Sequence, residues 1–353
     1  MKRKYLILSL FVFIILSVPF LSSCGKKETV KGRVVNVYNC GEYIDPETVK
    51  MFEKETGIKV QYETYASNED MYVKLKQNTN NYDVVVPSDY MIERMIREGM
   101  LAKIDYNNIP NFKEVDPKLK NPSYDPKNEY TVPYFWGTVG IVYNDKMIKD
   151  KIDSWNDLWN PKYKNQIIMY NSQRDAIAIA LKKLGYSMNS TDPKELEEAK
   201  KELIKQKPIV YAYLTDDGRD VMVQGDAAIA VEYSGDAELM MSENPDLKYV
   251  IPKEGSNIWS DCFVIPKTAK HKKEGEEFIN FMCRPDIAEM NAEYCMGYTS
   301  PIVKVKELLP EDLRNSEVAY PDMKKLPPLE AYKDLGKDVI LYDNLWTEVI
   351  ATM

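Results

Sequence analysis

The chain has 353 residues, with 47 Lys and Arg against 55 Asp and Glu, a formal net charge of −8 and a sequence pI near 5.1. That acidic balance argues against nucleic acid or an anionic membrane surface as partner and suits a cationic ligand. Five cysteines and one histidine, at spacings that match no zinc or thiol redox motif, argue against a metal centre and leave free thiols as the simplest reading of Cys40, Cys262, Cys283 and Cys295.

Lys2, Arg3 and Lys4 form a positive leader, and Tyr5 to Leu21 is uncharged and mostly apolar. Residues 1–23 have the layout of a secretory signal peptide. The sequence Leu21-Ser22-Ser23-Cys24-Gly25 resembles the lipobox of bacterial lipoproteins, which implies diacylation of Cys24 and a membrane tether over residues 24–32. No later apolar run has the length of a membrane span.

From residue 33 short β-rich runs alternate with helical stretches. Arg33 to Asn39 reads as a buried strand, and Asp45-Pro46 gives a helix cap followed by proline at the first helical position, with Gly57 as the stop. Ile58 to Tyr62 is a strand, Asn68 is expected to cap a helix to about Gln77, and Tyr82 to Pro87 is a third strand. Ser88 then starts a helix that ends before Gly99. A second series has strands at Val139 to Tyr143, Ile167 to Tyr170 and Ala227 to Glu232. Its helices run from Asp175 to Leu184 and from Asp192-Pro193 to about Gln206. Trp259 to Pro266 reads as a strand returning toward the first unit, with helices near 272–283, 285–296 and 336–351. Strands separated by helices of this length imply βαβ units and parallel sheets. In such sheets ligands gather beyond the C-terminal ends of strands.

The loops in those places carry aromatics and carboxylates: Asn39 to Tyr43, Ser88 to Tyr90, Ser172 to Asp175, Glu232 to Asp236, Trp259 with Asp261, and Tyr298. Separated carboxylates bind ammonium groups through charge-assisted hydrogen bonds, and aromatic faces line a methylene stem and attract its cations. The mixture suits a flexible, multiply charged amine.

The stretches YDVVVPSDYMIERMIREGMLAKID, VPYFWGTVGIVYN, SWNDLWNPKYKNQI, LKKLGYSMNSTDPKELEEAK and IWSDCFVIPK are similar to those of the spermidine/putrescine-binding proteins of bacterial polyamine ABC transporters. The resemblance runs along nearly the whole chain after the leader. It implies a bilobal periplasmic-binding-protein fold of type II, α/β, with two parallel-core sheets joined by hinge-crossing segments. The expected lobes are 33–136 with 264–312, and 137–260 with 313–353. It implies a monomer held to the membrane by lipid, a polyamine as ligand and the permease subunits of an ABC importer as partner, with a Gram-positive surface favoured over a periplasm. No catalytic residue, cofactor or metal is implied. Carried over position by position, the ligand-binding residues are Glu42, Tyr43, Ser88, Tyr90, Asp175, Tyr233, Trp259, Asp261 and Tyr298, with Asp261 as the central carboxylate. This chain departs from the family at Cys40 and Tyr233, where tryptophans are common, and at Ser172, where an acid is; Lys333 aligns with a glutamine.

Bland readings stand beside these. Any one of 25 tyrosines can be packing, Ser88 can be an N-cap, Asp89 can be solvated at a helix start, and Asp261 can be a structural ion-pair partner. The rival classes are an exported hydrolase with two carboxylates, for which no motif is present, and a binder of iron or an anion. Arg174 is the obvious residue for an anion, and His271 reads as a surface residue.

Overall fold

Caps and glycine stops set the elements of the first sheet. A computed structural model of the chain describes residues 32–41, 43–77 and 81–352. The leader, Cys24, the tether up to residue 31 and Glu42 lie outside the described residues. Strand β1 (Val34–Cys40) is followed by α1 (Pro46–Thr56), where Asp45 accepts from the Glu47 amide and Gly57 closes the helix at φ 70°. Strand β2 (Lys59–Tyr65), α2 (Asn68–Gln77), β3 (Val84–Val85) and α3 (Asp89–Arg97) complete two βαβ units. The sheet runs β2-β1-β3, all parallel, with Val35, Val37, Val84 and Val85 fully buried.

The second sheet holds β4 (Val132–Asn144), β5 (Ile167–Tyr170), β6 (Val210–Leu214), β7 (Ile229–Tyr233), β8 (Leu247–Val250), β9 (Ser256–Phe263) and β10 (Leu329–Glu330), with α4 (Gln173–Lys183), α5 (Pro193–Gln206), α6 (Asp217–Gln224) and α7 (Ser234–Glu243) between strands. After β9 come α8 (Lys272–Met282), α9 (Pro285–Tyr294), α10 (Val305–Leu308) and α11 (Glu311–Asn315), and α12 (Val339–Ala351) follows β10. The order is β10-β9-β4-β7-β5-β6, with β8 also on β4. Only part of this sheet is parallel: β5 runs parallel to β6 and β7, whereas β4 is antiparallel to β7, β8 and β9. The expectation of a parallel core therefore holds for β6-β5-β7, β4 is antiparallel to each of its neighbours, and the short β10 runs parallel to β9 at the edge.

Two long strands link the sheets. β4 is one 13-residue strand rather than the short run expected at 139–143; its first half pairs with β9 and its second with β7 and β8. The chain leaving β9 reaches the first sheet, where Val264 N–H donates to the Val85 carbonyl at 2.8 Å and Val85 N–H donates back at 3.0 Å. The fold is thus bilobal, with β4 and β9 carrying backbone from one sheet to the other.

Some local expectations shift. Asn68 does not cap α2: the Ser67 hydroxyl accepts from the Asp70 amide at 3.1 Å, and Asn68 instead binds Ser88. Ser172 caps α4 by accepting from the Asp175 amide. His271 is half-buried rather than free on the surface, its Nδ1 lying 3.1 Å from Oδ2 of the fully buried Asp83. The four described cysteines are free.

Candidate binding site

Asp261 sits where the two sheets meet. On β9 it shares a face with Trp259, two residues earlier, because side chains alternate along a strand. The Tyr43 hydroxyl donates to Asp261 Oδ2 at 2.8 Å, and Tyr43 is itself held by the Tyr134 hydroxyl, which donates to its carbonyl at 2.6 Å. Ser88 bridges to Asp261 through its backbone, and its hydroxyl favours the ionised carboxylate. It occupies the N-cap position of α3 but makes no side-chain cap; Asn68 Nδ2 donates to its Oγ at 3.0 Å. Asp261 Oδ1 is buried and has no hydrogen-bond partner among the described residues. Burial pushes the Asp261 carboxyl up to about 6, against the lowering effect of the Ser88 and Tyr43 hydroxyls. No cationic side chain pairs with it among the described residues, which removes the structural ion pair as its explanation.

An aromatic wall runs away from this carboxylate. Tyr43 meets Tyr298 edge to face at 5.4 Å, Tyr298 meets Trp259 at 5.6 Å, Trp259 meets Tyr233 at 6.0 Å, and Tyr233 meets Tyr170 at 5.1 Å. Each such pair contributes about 0.5–1.5 kcal/mol beyond area burial, so the wall is stiff. Two glycines make room for it. A Cβ on Gly137 would lie 2.6 Å from the Trp259 ring, and one on Gly235 would lie 2.6 Å from the Tyr298 ring.

Further carboxylates face the wall from the second sheet. Asp175 is buried, with Oδ2 accepting from Tyr233 at 3.1 Å and Oδ1 from Tyr332 at 2.9 Å. Burial raises its pKa, while hydrogen bonds from Ser172, Tyr332 and Tyr233 and the Arg174 charge pull the other way. Asp236 accepts from the Tyr298 hydroxyl at 2.9 Å and pairs with Arg219 at 3.1 Å.

The structure thus brings together Tyr43, Ser88, Asp175, Tyr233, Trp259, Asp261 and Tyr298 in one hydrogen-bonded and aromatic assembly. Tyr90 lies at its edge: its ring packs with Ala178, Met188 and Tyr332, and its hydroxyl donates to Glu69 at 3.0 Å. Asp89 is not solvated; it is buried and its pKa is pushed far up by burial, with Asp261 adding to the rise. Arg174 is no open anion site, because its guanidinium stacks over Tyr332 at 4.6 Å and Tyr342 at 5.1 Å. Tyr332 is a residue that local sequence reasoning missed. Lys333, next to it, is exposed, and its backbone N–H donates to Asn189 Oδ1 at 2.8 Å. Asp236 is among the carboxylates expected after β7, though not in the ligand set carried over from the family, and Tyr170 is a second residue that sequence reasoning missed, although the C-terminal end of β5 was the signal.

Residues 47–322 match the family model described as bacterial extracellular solute-binding protein. The spermidine/putrescine-binding periplasmic protein of Salmonella typhimurium is 40% identical over 316 residues, 89% of this chain and 90% of that protein. Among solved structures, the spermidine/putrescine ABC transporter substrate-binding protein PotD of Streptococcus pneumoniae is 42% identical, with a TM-score of 0.81 over 91% of this chain and 99% of its own. The Tp0655 (TpPotD) lipoprotein of Treponema pallidum is 28% identical, with a TM-score of 0.76 over 90% of this chain and 99% of its own. Matched in sequence and fold along nearly all of its described length, the chain belongs to the bacterial extracellular solute-binding proteins, among the relatives of the spermidine/putrescine-binding periplasmic proteins.

Proposed function

We propose that this protein captures a polyamine outside the cytoplasm and hands it to the permease of an ABC importer. The observation that carries the reading is Asp261: a carboxylate with a buried, unpartnered oxygen at the head of an aromatic wall. Such a group is costly without a cation, and an ammonium supplies both the charge and the missing donor. Tyr43, Trp259, Tyr233 and Tyr298 line the methylene stem, Asp261 and Glu42 hold ammonium groups, Asp175 contributes a carboxylate from the second lobe, Ser88 orients Asp261, and Tyr90 stands at the edge. The lobes, 33–136 with 264–312 and 137–260 with 313–353, close on the ligand, and the liganded form docks on the permease. Ligand shifts that balance by binding the closed form better than the open one.

The protein acts as a monomeric carrier without catalysis. A diacyl group on Cys24 holds it at the outer face of the membrane, a reading supported by the leader and the Ser22-Ser23-Cys24-Gly25 sequence, with a Gram-positive surface favoured over a periplasm. Calorimetric titration of the purified protein with spermidine and with putrescine tests the function. Tight one-site heat that weakens with salt is the expected result, and silence with both amines overturns the ligand assignment.

A further inference from the structure

The stretch between β10 and α12 is fastened to the elements of the second sheet at both ends. Before Asp334, Glu330 pairs with Lys182 of α4 and accepts from the Ser187 hydroxyl at 2.7 Å. Asn189 donates to the Ala331 carbonyl at 3.0 Å and accepts from the Lys333 amide at 2.8 Å. After Asp334, α12 lies against α4 and α5, where the buried Tyr342 donates its hydroxyl to the Ser190 carbonyl at 2.8 Å. Between these fastenings Asp334 reaches α3: its N–H donates to Glu93 Oε2 at 2.7 Å, and its carboxylate pairs with the Arg97 guanidinium.

Helix α3 belongs to the first sheet, since Met91, Ile92 and Met95 pack with Tyr38 of β1 and Val85 of β3. Tyr90, Glu93 and Arg97 follow at spacings of three and four, so they share another stripe of the helix. Tyr90 packs with Tyr332, and Glu93 and Arg97 hold Asp334. Three contacts therefore cross from one sheet's elements to the other's along a single helix face. Gly336, at φ 56°, turns the chain beneath Arg97, where a Cβ would lie 3.2 Å from Nη1. The Asp334 side chain is only 8% exposed, which shields its ion pair from full screening. Arg97 stands two turns, about 10 Å, along α3 from Tyr90 and touches no residue of the aromatic wall.

We propose that Glu93 and Arg97 on α3 and Asp334 after β10 form an interlobe latch that favours the closed cleft through contacts the ligand does not share. The inference rests on the reading of the protein as a two-lobed amine carrier that closes on its ligand. A ligand that needs the closed form binds more weakly in proportion as that form is less populated. The latch raises that population in the ligand-free chain, so it scales the affinity for every ligand by one factor and leaves the choice among amines to the wall and its carboxylates.

The test combines calorimetric titration of the full chain with spermidine and putrescine and small-angle scattering of the ligand-free protein. Arg97→Ala, a change at a half-exposed side chain, is expected to weaken both amines about three- to tenfold by the same factor and to enlarge the ligand-free radius of gyration. Arg97→Lys keeps the charge and is expected to lose less than about twofold. Asp334→Asn combined with Arg97→Ala is expected to lose no more than about twofold beyond the larger single loss, because both remove one contact. Unequal losses for the two amines would make Arg97 part of the ligand site, and a lowered Tm with unchanged affinity and radius would make the pair a fold-stabilising one; either overturns the latch while leaving the polyamine reading intact. Parent protein that binds neither amine would bring down that reading instead, and the scattering then decides the latch alone: an Arg97→Ala radius equal to the parent's overturns it.

Discussion

The Tyr43 hydroxyl donates to Oδ2 of Asp261 at 2.8 Å and leaves Oδ1 of the same carboxylate buried, with no partner among the described residues. One contact thus does two things: it aims the carboxylate, and it leaves half of its bonding capacity for something else. Asp261→Asn removes the charge but keeps the shape. It is expected to cost about 2–5 kcal/mol of amine binding, as for a truncated buried charge pair. Tyr43→Phe removes only the aiming bond and is expected to cost about 1–3 kcal/mol. Titration of both variants with the preferred amine checks the ranking; a larger loss for Tyr43→Phe than for Asp261→Asn would contradict it.

The raised pKa of Asp261 gives a pH dependence with a definite sign. The unfolded carboxyl titrates near ~3.9, and the folded one near about 6. The unliganded fold therefore holds this proton more tightly than the unfolded chain does. Its stabilising effect is complete below the unfolded value and is lost as pH rises through about 6. An ammonium binds the ionised form, so amine affinity rises from pH 5 to 7 and a proton leaves on binding near pH 6. Asp175 and Asp236, both raised first by burial, push the same way. Calorimetry in buffers of different ionisation enthalpy reads the released proton, and the ligand-induced rise in Tm is expected to be larger at pH 7 than at pH 5.

Legibility followed the range of the signal. The starts of α1 and α5 were readable because Asp45-Pro46 and Asp192-Pro193 act on their own helices, and Asp192 accepts from the Lys194 and Glu195 amides as such a cap should. The Trp259 and Asp261 pair was readable because a strand alternates. Helix α7 was hidden, since Ser234-Gly235-Asp236 looks like a turn; Gly235 is there to admit the Tyr298 ring, a contact made 63 positions along the chain. Tyr332 reaches Asp175 across 157 residues, and nothing near either residue announces it. The burial of Asp89 escaped for the same reason: a helix start reads as solvated until β9 covers it.

Cys40 offers a chemical probe of the cleft. It is half-buried, whereas Cys262, Cys283 and Cys295 are buried. Its thiol pKa is raised first by burial and then by the Asp261 charge, so little of the reactive thiolate is present at neutral pH. Alkylation of the folded protein is expected to be slow, to reach Cys40 before the other three, and to slow further with saturating amine. Mass mapping of the labelled peptides checks the order. Labelling of Cys262 ahead of Cys40 would mean that the β9 face is more open than the structure has it.

Gly235 tests whether the wall must keep its position. Its backbone is not in the left-handed region, so alanine there is a question of space alone. The added Cβ would stand 2.6 Å and 2.7 Å from Tyr298 ring atoms, and a ring cannot yield as a flexible chain end does. Moving Tyr298 would strain its 2.9 Å bond to Asp236 and its edge contacts with Tyr43 and Trp259. Overpacking of this kind costs about 1–3 kcal/mol of stability, and a displaced ring would also lose part of the stem contact. Gly235→Ala is therefore expected to lower both Tm and amine affinity. Gly185→Ala, at φ 85° with nothing near its Cβ, is expected to lower Tm alone. A Gly235→Ala protein with parental affinity would show that Tyr298 is packing and not part of the binding wall.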